Sequence, residues 1–219
     1  MHSELKRRLD HLEGLTRLHL DVCAQMLKAD SGKLFPLDIL AAATIKRSMA
    51  LINGFVALIK INNYTCAASL LRLQLDSCLR LFAAFIVDKP HEFADNVFKG
   101  KAIREMKDRK GKPMTDRYLV KTLASKYEWM PSVYEATSGF IHLSERHLLS
   151  IFEEAEGEHD IGLRIAADDE NIPLEQWIEL TDGFLVTTDA LFEYLKGWVF
   201  TKEHPEVVAK IRENKNCQQ

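Results

Sequence analysis

A mainly α protein, an antiparallel helical bundle with a small β-hairpin near residues 149–166, is the fold class this sequence predicts. Three observations predict it. Apolar residues recur at three- and four-residue spacings over long stretches. Short breaks containing Gly, Pro or Asn separate those stretches. One segment, around 149–166, alternates with period two instead.

The first helix is expected over residues 3–28, where Leu5, Leu9, Leu12, Leu15, Leu18, Val22 and Met26 form one face; Ser31-Gly32 marks its end. Pro36 opens the second at a position where a missing N–H costs little. Leu37, Leu40, Ile45, Met49, Ile52, Val56 and Ile59 are its core stripe. Asn62-Asn63 reads as a tight connection to a third helix at 64–87, making an antiparallel hairpin. Further helices are expected at 91–107, at 115–127 and from Pro131 to about Leu148. Leu149-x-Ile151 and Ile161-x-Leu163-x-Ile165, around Gly157, read as the hairpin, which would have to pack on the bundle to persist. Asn171 and Pro173 start a last long helix over 173–200. We expect one domain over 1–203, with 204–219 a polar C-terminal tail.

Composition narrows the class. With 219 residues, 47% hydrophobic and 28% charged, the chain can bury a core without disulfides or metals. A net charge of −3 gives no global pull toward nucleic acid or membrane. Cys23, Cys66, Cys78 and Cys217 include no CxxC pair, so reduced thiols in a cytoplasmic setting are expected. The charged N-terminus lacks the apolar core of a signal peptide, and the most apolar stretch, 34–61, is broken by Asp38, Lys46 and Arg47. No membrane association and no cofactor are expected.

The third helix is apolar nearly all round, yet Arg72, Asp76 and Arg80 recur on it every four residues, in one line. Interior charges need partners, and Asp76 is within reach of both arginines along the helix. One reading is a salt-bridge ladder that fixes helix docking. The other is an arginine-lined cleft for phosphate or carboxylate, whose oxygens match guanidinium forks. Tyr134, Ser138 and His142 recur every four residues on the helix from Pro131, offering donors, acceptors and a group that titrates near neutrality. Gly139 beside them would let another backbone approach. His147 points elsewhere. His142-x-x-Glu145 is half of a di-metal pattern with no second copy, and no GxSxG turn supports a serine triad, so no metal site is expected.

Leu70-Leu71-Arg72-x-x-x-Asp76, followed by Tyr134-x-x-x-Ser138-x-x-x-His142-x-Ser144, resembles a family of uncharacterised bacterial helical proteins with an "LLR…E" helix, a middle arginine and a "Y…S…HxS" helix. Arg104 matches the middle arginine, and Asp76 stands where that family carries glutamate. The family is distantly similar to the HEPN group of helical bundles, which often dimerise and include metal-independent ribonucleases, some in bacterial defence or stress systems. Their Arg-x4–6-His motif is absent here. The resemblance therefore implies an anion- or nucleotide-phosphate-binding or scaffold domain. As alternatives it implies a ribonuclease using His142 with Arg72 and Arg80, or a purely structural homodimeric scaffold. The ligand-binding set it offers is Arg72, Asp76, Arg80, Arg104, Tyr134, Ser138 and Ser144.

Charge is unevenly spread. Residues 101–121 hold eight Lys/Arg against three Asp/Glu, a balance of +5, while 153–170 hold eight Asp/Glu against one Arg, a balance of −7. The basic stretch could meet RNA or a phosphate ligand, although Tyr118 is its only aromatic residue. The two stretches could also meet across a symmetric dimer.

Overall fold

The structure, a computed structural model, describes residues 2–153 and 161–207. Its helices are α1 (Ser3–Lys28), α2 (Pro36–Lys60), α3 (Tyr64–Ala83), α4 (Pro90–Phe98), α5 (Asp116–Leu123), α6 (Met130–Ser138), α7 (Glu145–Leu149) and α8 (Leu174–Glu203). Two-residue strands β1 (Phe152–Glu153) and β2 (Gly162–Leu163) pair antiparallel, Phe152 opposite Leu163. The mainly α bundle with a small hairpin is thus the fold observed.

Four long helices make the frame: α2 packs on α1 and α3, and α8 braces α1 and α3 over about 45 Å. Inside, Phe55 and Phe184 are fully buried with ring centroids 4.4 Å apart. Truncating either to alanine would cost about 3–5 kcal/mol. The α2–α3 turn forms because Asn62 takes φ 56°, a left-handed conformation that asparagine tolerates. The Asn62 N–H then donates to Ile59 O and the Asn63 N–H to Leu58 O, closing α2, while Asn63 Oδ1 accepts from Cys66 N–H to open α3. By mean hydropathy, 1.3, α2 is apolar enough to resemble a membrane span, but its stripe from Leu37 to Ile59 is used against its neighbours in the bundle.

A second joint was hidden in the sequence as one acidic interruption of α2. Asp38 is fully buried; its Oδ1 accepts from Trp198 Nε1 at 2.7 Å, and its Oδ2 accepts from Phe35 N–H at 2.7 Å and Lys202 Nζ at 2.9 Å. Lys202 also donates to Met26 O at 2.9 Å. One ion pair thereby ties the ends of α1 and α8 to the start of α2.

Several expected boundaries are corrected. α3 is helical only to Ala83, not residue 87, and the expected 115–127 helix is α5, Asp116–Leu123. The 91–107 helix stops at Phe98, because Gly100 turns to φ 85° and Lys101 N–H closes on Asn96 O. Phe93 and Ile103 are still buried, the latter from a 3₁₀ turn at Ile103–Glu105. The helix expected from Pro131 to Leu148 breaks after Ser138. There Thr137 and Ser138 hydroxyls donate back to Val133 O and Tyr134 O, both at 2.6 Å, and Ser144 Oγ folds the chain back by donating to Gly139 O at 2.7 Å. Ser144 then starts the separate short helix α7. The hairpin does not bury its alternating residues on the bundle: Leu149, Ile161, Leu163 and Ile165 are exposed and Ile151 is half-buried. The expected turn at Gly157 and the tail beyond Val207 lie outside the described residues.

Candidate functional site

The line Arg72, Asp76, Arg80 exists, with pairing different from that expected. Asp76 does not hold both arginines. Its Oδ1 lies 2.9 Å from Arg80 Nε, one turn on, in an ion pair, and its Oδ2 accepts from Arg47 Nη1 of α2 at 3.0 Å. Arg72 is held by Asp116 of α5, whose Oδ2 accepts from Arg72 Nη2 at 3.1 Å and whose Oδ1 accepts from Arg80 Nη2 at 2.5 Å. The result is a continuous alternating row, Arg47–Asp76–Arg80–Asp116–Arg72. It ends where the Arg72 guanidinium lies 4.4 Å over the Tyr134 ring of α6, a cation–π contact. The row thus spans α2, α3, α5 and α6.

The two ends of the row differ most in burial, Arg47 at 43% side-chain exposure and Arg72 at 11%, with Asp76, Arg80 and Asp116 between them. Three guanidiniums face two carboxylates, and Arg80 Nη1 is buried with no hydrogen-bond partner among the described residues. Asp116 reaches the row because Thr115 caps α5, its Oγ1 accepting from Tyr118 N–H at 3.3 Å, which sets Asp116 in the first turn, where the helix dipole favours a carboxylate. The loop before it is itself pinned. Asp108 accepts from Lys110 and Lys112 N–H at 2.9 and 2.8 Å and from the Tyr118 hydroxyl at 2.5 Å. Burial opposes the Asp108 charge, but those donors outweigh it and hold the carboxyl below the usual range. Arg109 donates to the Phe85, Ile86 and Val87 carbonyls beyond the end of α3.

The second stripe is only partly present. Tyr134 joins the row through Arg72. Ser138 bonds back to its own helix, and Ser144 shapes the turn into α7, its N–H donating to His147 Nδ1 at 3.3 Å. His142 lies beyond the end of α6, exposed, with no hydrogen bond to the described residues. Gly139 is met by the side chains of Arg146 and Ser144, not by another backbone. Arg104 is exposed in the turn after α4 and makes no ion pair among the described residues. Among those residues no group of three His, Cys, Asp or Glu is gathered as a metal site would need. An apolar groove of about 410 Å³ lies apart from the row, between the start of α2 and α4, with Phe35, Ile39 and Phe98 on its walls.

Sequence reasoning missed Arg47 and Asp116. Arg47 carried a signal: a hairpin closing at Asn62-Asn63 sets residues whose numbers sum to about 124 side by side, which puts Arg47 beside Asp76. Asp116, 36 and 44 residues from its partners, had none. A buried polar chain was also missed. Gln74 donates to Ser48 Oγ at 2.6 Å and Thr188 Oγ1 at 3.0 Å, and its Oε1 has no partner among the described residues. His19 Nδ1–H donates to Leu15 O at 2.8 Å, which leaves Nε2 to accept from the Ser48 hydroxyl at 2.8 Å. Burial pushes the His19 pKa below its ordinary value, so the ring is neutral.

Compared with family models, curated proteins and solved structures, the chain matches none.

Proposed function

We propose that the chain is a non-catalytic helical scaffold, a binding domain of HEPN-like type working as a homodimer in the cytoplasm, in which the charged row is a clasp that docks α2, α3, α5 and α6. Asp116 carries this reading. Its two oxygens fill the guanidinium forks of Arg72 and Arg80 that a phosphate would otherwise meet. A half-buried ladder of this kind fixes geometry more than it adds stability, and apolar residues of similar volume can replace it. The triple variant Arg72→Met, Arg80→Met, Asp116→Leu should therefore fold, with stability within about 1–2 kcal/mol of the parent and unchanged self-association. A folded triple variant that no longer self-associates would refute the clasp.

A second reading, anion or nucleotide-phosphate binding at the same row, is favoured by one observation: the row carries an excess positive charge and Arg80 Nη1 has no partner among the described residues. On this reading phosphate displaces or joins Asp116, and Arg104 lies outside the site. Ribonuclease chemistry has the least support, because His142 sits beyond the end of α6 with no bond to either arginine. That alternative is tested by RNA cleavage that depends on His142.

A further inference from the structure

Half of the exposed large apolar side chains among the described residues fall in one arm, from Ile141 to Ile165. Its strands sort them. Successive residues of a strand point to opposite faces, and Phe152 lies directly opposite Leu163. Arg164 N–H donates to Ile151 O at 2.8 Å, which continues the ladder one residue past β2. Phe152, Ile161, Leu163 and Ile165 therefore share one face, and all four are exposed, by 48% to 90%. The opposite face is closed by the chain itself: Ile151 is half-buried there, and Arg164 donates to Asp168 Oδ1 at 2.6 Å and to Asp168 O at 2.9 Å.

The arm is held at both stems. Ser69 Oγ donates to Phe140 O at 3.0 Å, Thr65 N–H donates to Asp169 Oδ2 at 3.0 Å, and Asp169 N–H donates to Asn62 O at 2.7 Å. These bonds fix where the arm leaves the bundle, at the α2–α3 turn and the first turns of α3. None of them covers its apolar face. A two-stranded hairpin is marginal in water unless a further layer packs on it.

Size decides what kind of layer that is. With Ile141, Leu143, Leu148 and Leu149 added to the sheet face, the arm exposes on the order of 1,000 Å² of these residues. The largest apolar patch of a monomer is about 300–600 Å², whereas each partner of a stable complex contributes about 800 Å². Between Ile141 and Ile165 the described charges cancel, Glu145 and Glu153 against Arg146 and Arg164, and none of them lies on the apolar sheet face. The face therefore selects its partner by apolar contact rather than by opposite charge.

We infer that the partner is the same face of a second copy: the two hairpins pack sheet on sheet about a two-fold axis that passes between them. An apolar face without charged side chains is complementary to itself, as a two-fold contact requires. Two sheets packed in this way lie about 10 Å apart, with both faces closed to water. The inference names the dimer contact of the scaffold proposed above and rests on that reading, but its test does not touch the charged row.

The test uses two variants of the full chain with opposite charge on this face: Leu163→Lys with Ile165→Lys, and Leu163→Glu with Ile165→Glu. Sedimentation equilibrium should give the parent protein twice its 25.0 kDa mass. Residues 153–170 carry a balance of −7 in the sequence, so salt should tighten this dimer rather than loosen it. Each variant alone should self-associate about a hundredfold more weakly, because like charges then meet across the axis. An equimolar mixture should recover a heterodimer, since lysine then faces glutamate. Both positions are exposed in the single chain, so the monomeric variants should keep their helical circular dichroism and cooperative unfolding. A monomeric parent would overturn the inference together with the homodimer reading. A dimer indifferent to both variants, or one that salt dissociates, would overturn the inference alone and place the contact elsewhere. Variants that lose association and do not recover on mixing would also overturn it, because the arm would then dock on a different surface of the partner copy. The triple variant of the row reports on the clasp separately.

Discussion

Replacing Asp116 with alanine isolates the carboxylate on which the charged row turns. The substitution removes two charge-assisted hydrogen bonds, at 2.5 Å to Arg80 and 3.1 Å to Arg72, and leaves two guanidiniums facing each other. Fully exposed pairs contribute about 0.2–1 kcal/mol, and stripping one partner from a fully buried pair costs about 3–5 kcal/mol. Side-chain exposures of 11%, 26% and 29% for Arg72, Arg80 and Asp116 place this site between those limits, at about 2–3 kcal/mol. Part of that, about 0.3–1 kcal/mol, is loss of a favourable charge in the first turn of α5. A cycle with Arg72→Met removes the dipole contribution and should return about 1 kcal/mol of coupling. Urea unfolding with an unchanged slope and a lower midpoint is the assay. A loss below about 0.5 kcal/mol, or no coupling in the cycle, would refute the row as a clasp.

Other outcomes follow from the buried joints. Lys202→Met should cost about 3–5 kcal/mol in urea unfolding, because Asp38 and Lys202 are almost wholly buried and the carboxylate would be left uncompensated. His19 sets an acid limit. Its folded pKa is lowered, so between that value and the ordinary 6.5 the unfolded chain binds more protons, and stability falls as pH drops through this window. His19→Gln should flatten that part of the melting-temperature profile while leaving the carboxylate-driven loss at lower pH.

The frame was legible because long helices with one buried face write a 3.6-residue period into the chain: α1, α2 and α8 end within three residues of expectation, and the Asn62-Asn63 turn falls where it was placed. Short elements were less so, since their ends are set by single bonds. Gly100 did carry a stop signal for α4, because glycine is the residue that takes φ 85° without strain. The end of α6 carried little. Serine hydroxyls at 138 and 144 decide it, and the same serines read equally well as members of a polar stripe. Arg72 and Tyr134 belong to two separate polar lines in the sequence, and whether those lines meet was not legible in it; their cation–π contact comes from the docking of α3 on α6. What periodicity could not supply was Asp116, since a contact across 44 residues depends on how helices dock, and that docking is what the contact itself fixes.

The Asp116 carboxylate already fills the site a phosphate would take, and a thermal-melt titration with inorganic phosphate and with nucleotides reads this out. The parent chain should be indifferent, while Asp116→Ala, with its two arginines freed, should be restabilised by phosphate. A parent chain that binds phosphate or a nucleotide would instead rise by about 5–10 °C at a hundredfold excess over the dissociation constant. That result would contradict the scaffold reading and establish the row as an anion site.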